Sequence, residues 1–429
     1  MSASGVDRAA PRADSPSLAR VLAQLYARVP RGIRLGLDAM NEACERAGHP
    51  ERAFETVHVA GTNGKGSVSA MTESIARAAG GRTGLYTSPH LCLFGERIRV
   101  DGKPLADATL EAVIARAMEI GPELSFFETA TLAAFLAFRD ANVDIAVIEV
   151  GIGGRLDATN VIPKPRVAAI TRIALDHMDK LGDTLVAIAR EKAGIAKPGV
   201  PIVVGSMDPE VRAAIDEVAL ASGARTLDVH AAEIGPFDFF RGMPGLPPLL
   251  GAHQVGNCDV AIAMARLLRI DDDAIARGLK ATRWPGRLER IEKPDGVYLL
   301  DGAHNPDGAA ALASYLRRTD SPALVFGALA DKAWPEMIDL LAPITPHRVY
   351  VAPMVGTSGA VGKQRAAAPP QELALRHAGE TAPDVASAMK RARSLAGPRG
   401  VVVVAGSLYL VGEARALLLG LPRDPPVAM

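Results

Sequence analysis

Cysteine is scarce in this chain: Cys44, Cys92 and Cys258 are its only three, far apart and without a C-x-x-C pair. Such spacing offers neither a disulfide framework nor a zinc site, and it fits a reducing compartment such as the cytoplasm. Net charge is missing too. The 48 Lys plus Arg are matched by 48 Asp plus Glu, so the overall basic footprint of a nucleic-acid binder is absent and any anionic ligand must be met by local charge. No apolar run approaches the ~20 residues that span a bilayer, and Val401-Val402-Val403-Val404 falls far short, so no membrane partner is expected. The stretch from Met1 to Ser17 is polar and alanine-rich, with two prolines and no apolar signal core. It reads as a loose tail over 1–17.

What is present is an α/β rhythm over 429 residues, a length that fits two domains. Extended segments at Val57 to Ala60, Thr83 to Thr87, Ile145 to Val150, Val167 to Thr171 and Ile202 to Val204 alternate with helical patterns at Ser67 to Ala79, Leu105 to Met118, Glu128 to Asn142, Thr184 to Ala196 and Pro209 to Ser222. Pro236 to Gly251 breaks the rhythm as a hairpin or loop insert, and a helix resumes at His253 to Leu268. Around Trp284-Pro285-Gly286-Arg287 the pattern restarts, with strands at Leu288 to Glu292, Val297 to Leu300, Leu324 to Phe326, Val349 to Val351 and Val401 to Val404 and a helix at Pro306 to Arg317. Val355 to Pro370 reads as a loop. The expected units are an amino domain over 18–284 with a mostly parallel sheet and a smaller carboxyl α/β domain over 285–429.

Gly61-Thr62-Asn63-Gly64-Lys65-Gly66-Ser67 joins the first strand to the first helix. Small residues let backbone N–H groups turn toward phosphates, the helix start adds its positive dipole end, and Lys65 brings a mobile charge. Gly66 stands where the generic loop has a magnesium-binding hydroxyl, so a metal must find its ligand elsewhere. Ser88 in Thr87-Ser88-Pro89-His90, after the second strand, offers one. Glu149 ends a buried strand before the turn Gly151-Ile152-Gly153-Gly154-Arg155-Leu156-Asp157-Ala158. A lone carboxylate there is costly, so a metal or cation is expected beside it, with Arg155 as the ordinary alternative. Leu175-Asp176-His177-Met178-Asp179 and Arg190-Glu191-Lys192-Ala193-Gly194 follow. Arg97-Ile98-Arg99 reads as a solvated strand face.

In their combined order these motifs, together with Phe126-Phe127-Glu128, His253-Gln254 with Asn257, Pro285-Gly286-Arg287, Asp301-Gly302-Ala303-His304-Asn305-Pro306 and Ser407-Leu408-Tyr409, resemble those of the bacterial folylpolyglutamate synthases of the Mur ligase superfamily, in their bifunctional form that is also a dihydrofolate synthase. The likeness runs from Val57 to Tyr409. It implies an amino-terminal P-loop ATPase domain and a Rossmann-like carboxyl domain. It implies that Gly61, Thr62, Asn63, Gly64, Lys65, Gly66 and Ser67 hold ATP with Asn257, Arg287 and Asp301. It further implies that Ser88, Glu149 and His177 ligate two Mg²⁺, that Lys192 is carbamylated and supports one of them, and that Ser125, Phe126, Phe127, Glu128, Leu156, Asp157 and Ala158 hold the pteroate. Asp157 is tied to the dihydropteroate mode.

The implied reaction is ATP-dependent: a substrate carboxylate attacks the γ-phosphate, and the amine of L-glutamate then displaces phosphate from the acyl phosphate. Lys65 and the ions stabilise the transferring group, and His304 orients the amine or takes its proton. Dihydropteroate, reduced folates and L-glutamate are the expected partners, and a monomer is expected. A monofunctional folylpolyglutamate synthase, a cell-wall precursor ligase of the same superfamily and a slow ATP-hydrolysing switch are the alternatives.

Overall fold

The computed structural model describes residues 15–29, 36–229, 231–232, 234–235, 247–354 and 366–424. Among these, the first eight strands are β1 Glu55–Ala60, β2 Thr83–Tyr86, β3 Ile98–Val100, β4 Lys103–Pro104, β5 Ile145–Glu149, β6 Val167–Ile170, β7 Pro201–Val204 and β8 Arg225–Asp228. They form one sheet in the order β4-β3-β2-β5-β1-β6-β7-β8. The five pairings from β2 to β8 are parallel, and β3 and β4 form an antiparallel edge.

Parallel strands buried on both faces favour apolar runs, as β5, β6 and β7 show, whereas β1 also buries Thr56 and His58 and the edge strand β8 is half polar. Val57 and Val59 of β1 point into one core with Val68, Met71 and Ile75 of the helix Lys65–Ala78 and Val260 to Ala265 of the helix His253–Leu267. Ala60, Ala168 and Ile170 face the opposite core with Ile188 and Ile215. A third core gathers Tyr86, Ala146 and Ile148 against the helix Phe126–Asp140.

The register sets the site. Val59 pairs with Glu149 and Ala60 with Ile170, so β5, β1 and β6 end side by side, with the glycine loop leaving the middle one.

The second sheet comprises β9 Glu289–Lys293, β10 Gly296–Leu300, β11 Ala323–Phe326, β12 His347–Tyr350, β13 Glu380–Thr381 and β14 Val401–Ala405, in the order β13-β12-β11-β14-β10-β9. Only β9 is antiparallel. Helices cover both faces, giving two further cores. The architecture is the mostly parallel α/β pair read from the sequence, and the expected boundary at 284/285 falls between the helix Asp272–Ala281 and β9.

Two readings change. Pro16 and Ser17 open the helix Pro16–Tyr26 instead of ending a tail, because Leu18, Val21, Leu22 and Leu25 recur at helical spacing and bury against the third core. Residues 1–14 lie outside the described residues. The helix expected from Glu128 begins at Phe126, where Ser125 and Glu128 close a capping box. Of the segments read as loops, 236–246 and 355–365 also lie outside the described residues. No helix among the described residues is long and apolar enough to cross a membrane.

Candidate active site

The glycine loop takes backbone conformations that a side chain would obstruct. Gly61 has φ 142° and Gly64 φ 92°. A Cβ on Gly61 would lie 1.9 Å from Thr171 Oγ1, and one on Gly64 would lie 2.4 Å from Asn257 Oδ1. Thr171 after β6 and Asn257 on the helix His253–Leu267 thus press on the loop from two sides, and Gln254 Nε2 adds a 3.3 Å bond to Ser67 Oγ. The N–H groups of Thr62 and Asn63 are bonded to Arg172 O at 2.8 and 3.2 Å. The helix that begins at Lys65 leaves the N–H groups of its first turn without intrahelical acceptors. That concavity of donors with Lys65 beside it suits a polyphosphate. Lys65 Nζ lies back over the loop, donating to Gly61 O at 3.0 Å and Thr62 O at 3.1 Å.

Glu149 sits next to the loop, 5% exposed, and accepts the Ser88 N–H at 3.2 Å. Burial pushes its carboxyl up, while Lys65, the Ser88 N–H, Arg287 and Arg97 pull it back. Arg155 is not its partner, since that guanidinium pairs with Glu191 at 2.8 Å. Lys192 is 4% exposed, so it is no solvated helix charge. Burial, reinforced by Lys65 and opposed by Asp176 and Asp157, lowers its ammonium to about 7. His177 caps the short helix Met178–Leu181 with φ 51°, its Nε2 4.0 Å from Asp176 Oδ1. Ser88 and Glu149 are therefore brought together, and His177 is placed beside Asp176.

Among the described residues no group of three or more His, Cys, Asp and Glu forms a metal cage. The Ser88 hydroxyl and the Glu149 carboxylate are oxygen donors of the kind a hard divalent ion takes, with its remaining oxygens drawn from phosphate and water.

Two of the segments expected to hold the pteroate meet at the turn that follows Glu149. Asp157 is buried and accepts from Gly151 N at 3.1 Å, Ile152 N at 2.9 Å, Thr159 N at 3.0 Å and Thr159 Oγ1 at 2.6 Å, which fixes the turn between Glu149, Leu156 and Ala158. Buried His58 of β1 meets Thr159 Oγ1 at 2.8 Å, extending the network into the sheet. Phe127 lies on the turn, its Cζ 2.5 Å from where a Gly151 Cβ would be. Phe126 is a core residue, and the Ser125 and Glu128 side chains are taken up by their capping box, with Ser125 N to Glu128 Oε2 at 2.7 Å.

Arg97 corrects the sequence reading. It is 1% exposed, not solvated, with its guanidinium carbon 5.5 and 5.2 Å from the rings of Phe94 and Phe126 and its Nε donating to His90 Nδ1 at 2.8 Å. Arg99 lies 5.1 Å over Trp284. The missed signal was position: Arg97 ends a short 3-10 turn, Phe94–Arg97, that leads into β3, where its carbonyl accepts Thr87 N–H at 3.0 Å, while Arg99 lies on β3, antiparallel to β2.

The carboxyl domain closes the cleft. Asp301 ends β10 and is buried, accepting Leu288 N at 2.9 Å and Ala303 N at 3.0 Å. Burial pushes its carboxyl up, and Arg287 beside it opposes that shift. His304 Nδ1 meets Gly302 O at 2.8 Å and its Nε2 lies 3.5 Å from Asp176 Oδ2. Lys332 Nζ also bonds Asp176. Burial alone would raise the Asp176 carboxyl, but His304, Lys332 and His177 together hold it well below the usual carboxylate range. Lys332 was not singled out from the sequence. It lies in the turn between β11 and the helix Trp334–Leu341, beyond the strand end where a site residue was sought.

Residues 59–265 match the Mur ligase middle domain and residues 286–408 the glutamate ligase domain of the Mur ligases. The chain is 34% identical over 427 residues to the dihydrofolate synthase/folylpolyglutamate synthase of Bacillus subtilis, covering 92% of this chain and 97% of that one. It is 36% identical over 414 residues to a Haloferax volcanii relative whose name couples folylpolyglutamate synthase with dihydropteroate synthase; there 89% of this chain matches 48% of the relative, so the chain spans about half its length. The Mycobacterium tuberculosis folylpolyglutamate synthase complexed with ADP superposes with a TM-score of 0.82 at 33% identity, over 95% of this chain and 99% of that one. A bifunctional folylpolyglutamate synthase/dihydrofolate synthase with Mn, AMPPNP and L-glutamate bound gives 0.80 at 32% identity, over 95% and 99%. With a glycine loop, a buried Glu149 beside it and a second domain that meets the loop at Asn63, the chain belongs to the folylpolyglutamate synthase/dihydrofolate synthase family of the Mur ligases.

Proposed function

We propose that this chain is an ATP-dependent ligase that joins L-glutamate to dihydropteroate, giving dihydrofolate, and to reduced folates. One observation carries the reading: the phosphate loop, Glu149 with Ser88, and the Asp301 to Asn305 segment of the other domain converge on one cleft, the arrangement that an acyl transfer using a triphosphate and an amine requires. The relatives' names and the L-glutamate and nucleotide analogue bound to one of them support it.

A carboxylate of the pteroyl substrate attacks the γ-phosphorus, forming the C–O–P link as the bond to ADP breaks. Lys65 would swing from the loop carbonyls to the outer phosphates, and the first-turn N–H groups would hold them, so positioning and electrostatics lower the barrier. The glutamate amine then adds to the acyl carbonyl and phosphate leaves. Both ring nitrogens of His304 face oxygens, Gly302 O and Asp176 Oδ2. One of these contacts would have to give way for the ring to orient the amine or take its proton.

Ser88, Glu149 and His177 would hold two Mg²⁺, with a carbamylated Lys192 supporting one, and these ions would neutralise phosphate charge. The lowered Lys192 supports the modification, because the neutral amine adds to CO₂ with loss of a proton to give a carbamate. Asp157 would act on the pterin by holding its turn. The setting we propose is a monomer in a reducing cytoplasm, in keeping with three buried free cysteines. The test is substrate profiling with purified protein, ATP and Mg²⁺. Glutamylated products from dihydropteroate and tetrahydrofolate are expected by mass spectrometry; products only from a muramyl precursor would overturn the reading.

A further inference from the structure

We propose that Asn305 is a positioning residue for phosphoryl transfer: through a reciprocal carboxamide pair with Asn63, reinforced by Asp307 and Arg172, docking of the carboxyl domain fixes the tip of the phosphate loop. Asn63 Nδ2 donates to Asn305 Oδ1 at 3.1 Å, and Asn305 Nδ2 donates back to Asn63 Oδ1 at 3.0 Å. The pair spans 242 positions of sequence and joins the two domains.

Asn305 is also the cap of the helix Pro306–Leu316, its Oδ1 accepting Gly308 N–H at 2.9 Å. Capping needs only an acceptor, and Ser or Asp would serve as well. What distinguishes Asn here is its Nδ2 donor, which reaches Asn63 and, at 3.4 Å, Asp176 Oδ2.

The surrounding contacts close a ring. Asn63 Nδ2 also reaches Asp307 Oδ2 at 2.7 Å, and Asp307 Oδ1 accepts from Arg172 Nε at 2.6 Å. Arg172 returns to the loop through its carbonyl, which accepts the N–H groups of Thr62 and Asn63. The loop tip is thus held from β6 and from the other domain at once. Separating the domains removes every side-chain restraint on Asn63 in this ring while leaving the helix start that binds phosphate intact. Nucleotide binding draws on the loop N–H groups, Lys65 and the other residues expected to hold ATP, none of which Asn305→Ser removes, whereas the transfer step needs the clamped loop.

The kinetic consequence rests on the ligase reading; the structural one does not. The experiment is amide hydrogen exchange on the whole nucleotide-free protein, comparing wild type with Asn305→Ser, which keeps a capping oxygen, and with the exposed Arg172→Gln. Exchange in the 61–67 peptide should quicken about tenfold in Asn305→Ser, less in Arg172→Gln, and no further in Asn63→Ala/Asn305→Ser than in Asn63→Ala alone. The helix Pro306–Leu316 should exchange as in wild type. Unchanged exchange at 61–67, additive effects in the double variant, or acceleration of that helix instead would overturn the proposal. With ATP, Asn305→Ser should lower kcat about tenfold with KM for ATP little changed; a loss confined to KM would contradict it.

Discussion

At Lys192 the helix Leu185–Ala193 carries an ammonium out of water, and burial lowers it to about 7 from an ordinary 10.5. The sign of its effect on stability follows. Below pH 7 both the folded and the unfolded chain hold the proton, and the burial cost is fully present. Between about 7 and 10.5 the unfolded chain still holds a proton that the folded one has released, so stability rises with pH across that window. Lys192→Met should therefore raise the melting temperature most at pH 6, with the gain shrinking toward pH 10, in buffer free of CO₂ and metal. A gain independent of pH would show that Lys192 is not buried as a charge.

Glu149 presents the complementary case, a carboxyl raised by burial. Its folded form keeps a proton over a range where the unfolded chain has lost it, so its contribution falls as pH rises above the ordinary Glu value near 4.5. Glu149→Gln should leave the nucleotide-free protein at least as stable as wild type at pH 7 in urea denaturation. It should also cut ligase turnover by about 10²-fold or more, the scale of losing one preorganised charge. Loss of stability alongside activity would assign Glu149 to structure.

Elements explain where the site was legible and where it was not. The glycine loop and Glu149 could be read because strand ends of a parallel sheet are where a sequence must change from apolar to polar, and the change is visible residue by residue; His177, beyond β6, lies beside Asp176. Arg97 was illegible for the converse reason: a charge flanking an apolar residue looks the same whether it meets water or, as here, the ring of Phe94 in its own turn and that of Phe126 from a distant helix. Ser125 and Glu128 carried a local signature, S-x-x-E, that by itself accounts for both residues as a cap.

The turn after β5 shows an element built around one side chain. Asp157 gathers four donors from Gly151, Ile152 and Thr159. Asp157→Ala should destabilise the protein by about 1–3 kcal/mol, since buried N–H groups lose their acceptor. It should depress glutamylation of dihydropteroate more than that of reduced folate. Equal losses with the two substrates would remove the turn from pterin selection.

For the whole molecule, the cleft is closed by charge carried between domains. Asp176 from one side meets Lys332 and His304 from the other, with Lys332 and Asp176 almost wholly buried. The carboxyl-terminal segment after the last helix returns to the first domain, where Asp424 Oδ2 accepts Phe94 N–H at 2.6 Å and Asp424 N–H bonds Cys92 O at 2.9 Å. Removing one member of a buried pair strands the other. Lys332→Ala should open the cleft, seen as a larger radius of gyration by small-angle X-ray scattering with ADP present, without lowering the melting temperature of the first domain. An unchanged radius would mean that Asp176 does not govern closure. None of these cross-domain partners could be inferred by periodicity, because the relative placement of two separate sheets leaves no trace in either one's pattern.

Phosphate release by the purified protein with ATP and Mg²⁺ tests the central claim most directly. Release should depend on adding dihydropteroate and L-glutamate together and should match the dihydrofolate formed mole for mole. A rate that ignores both additions would contradict the account and leave the chain a nucleotide hydrolase.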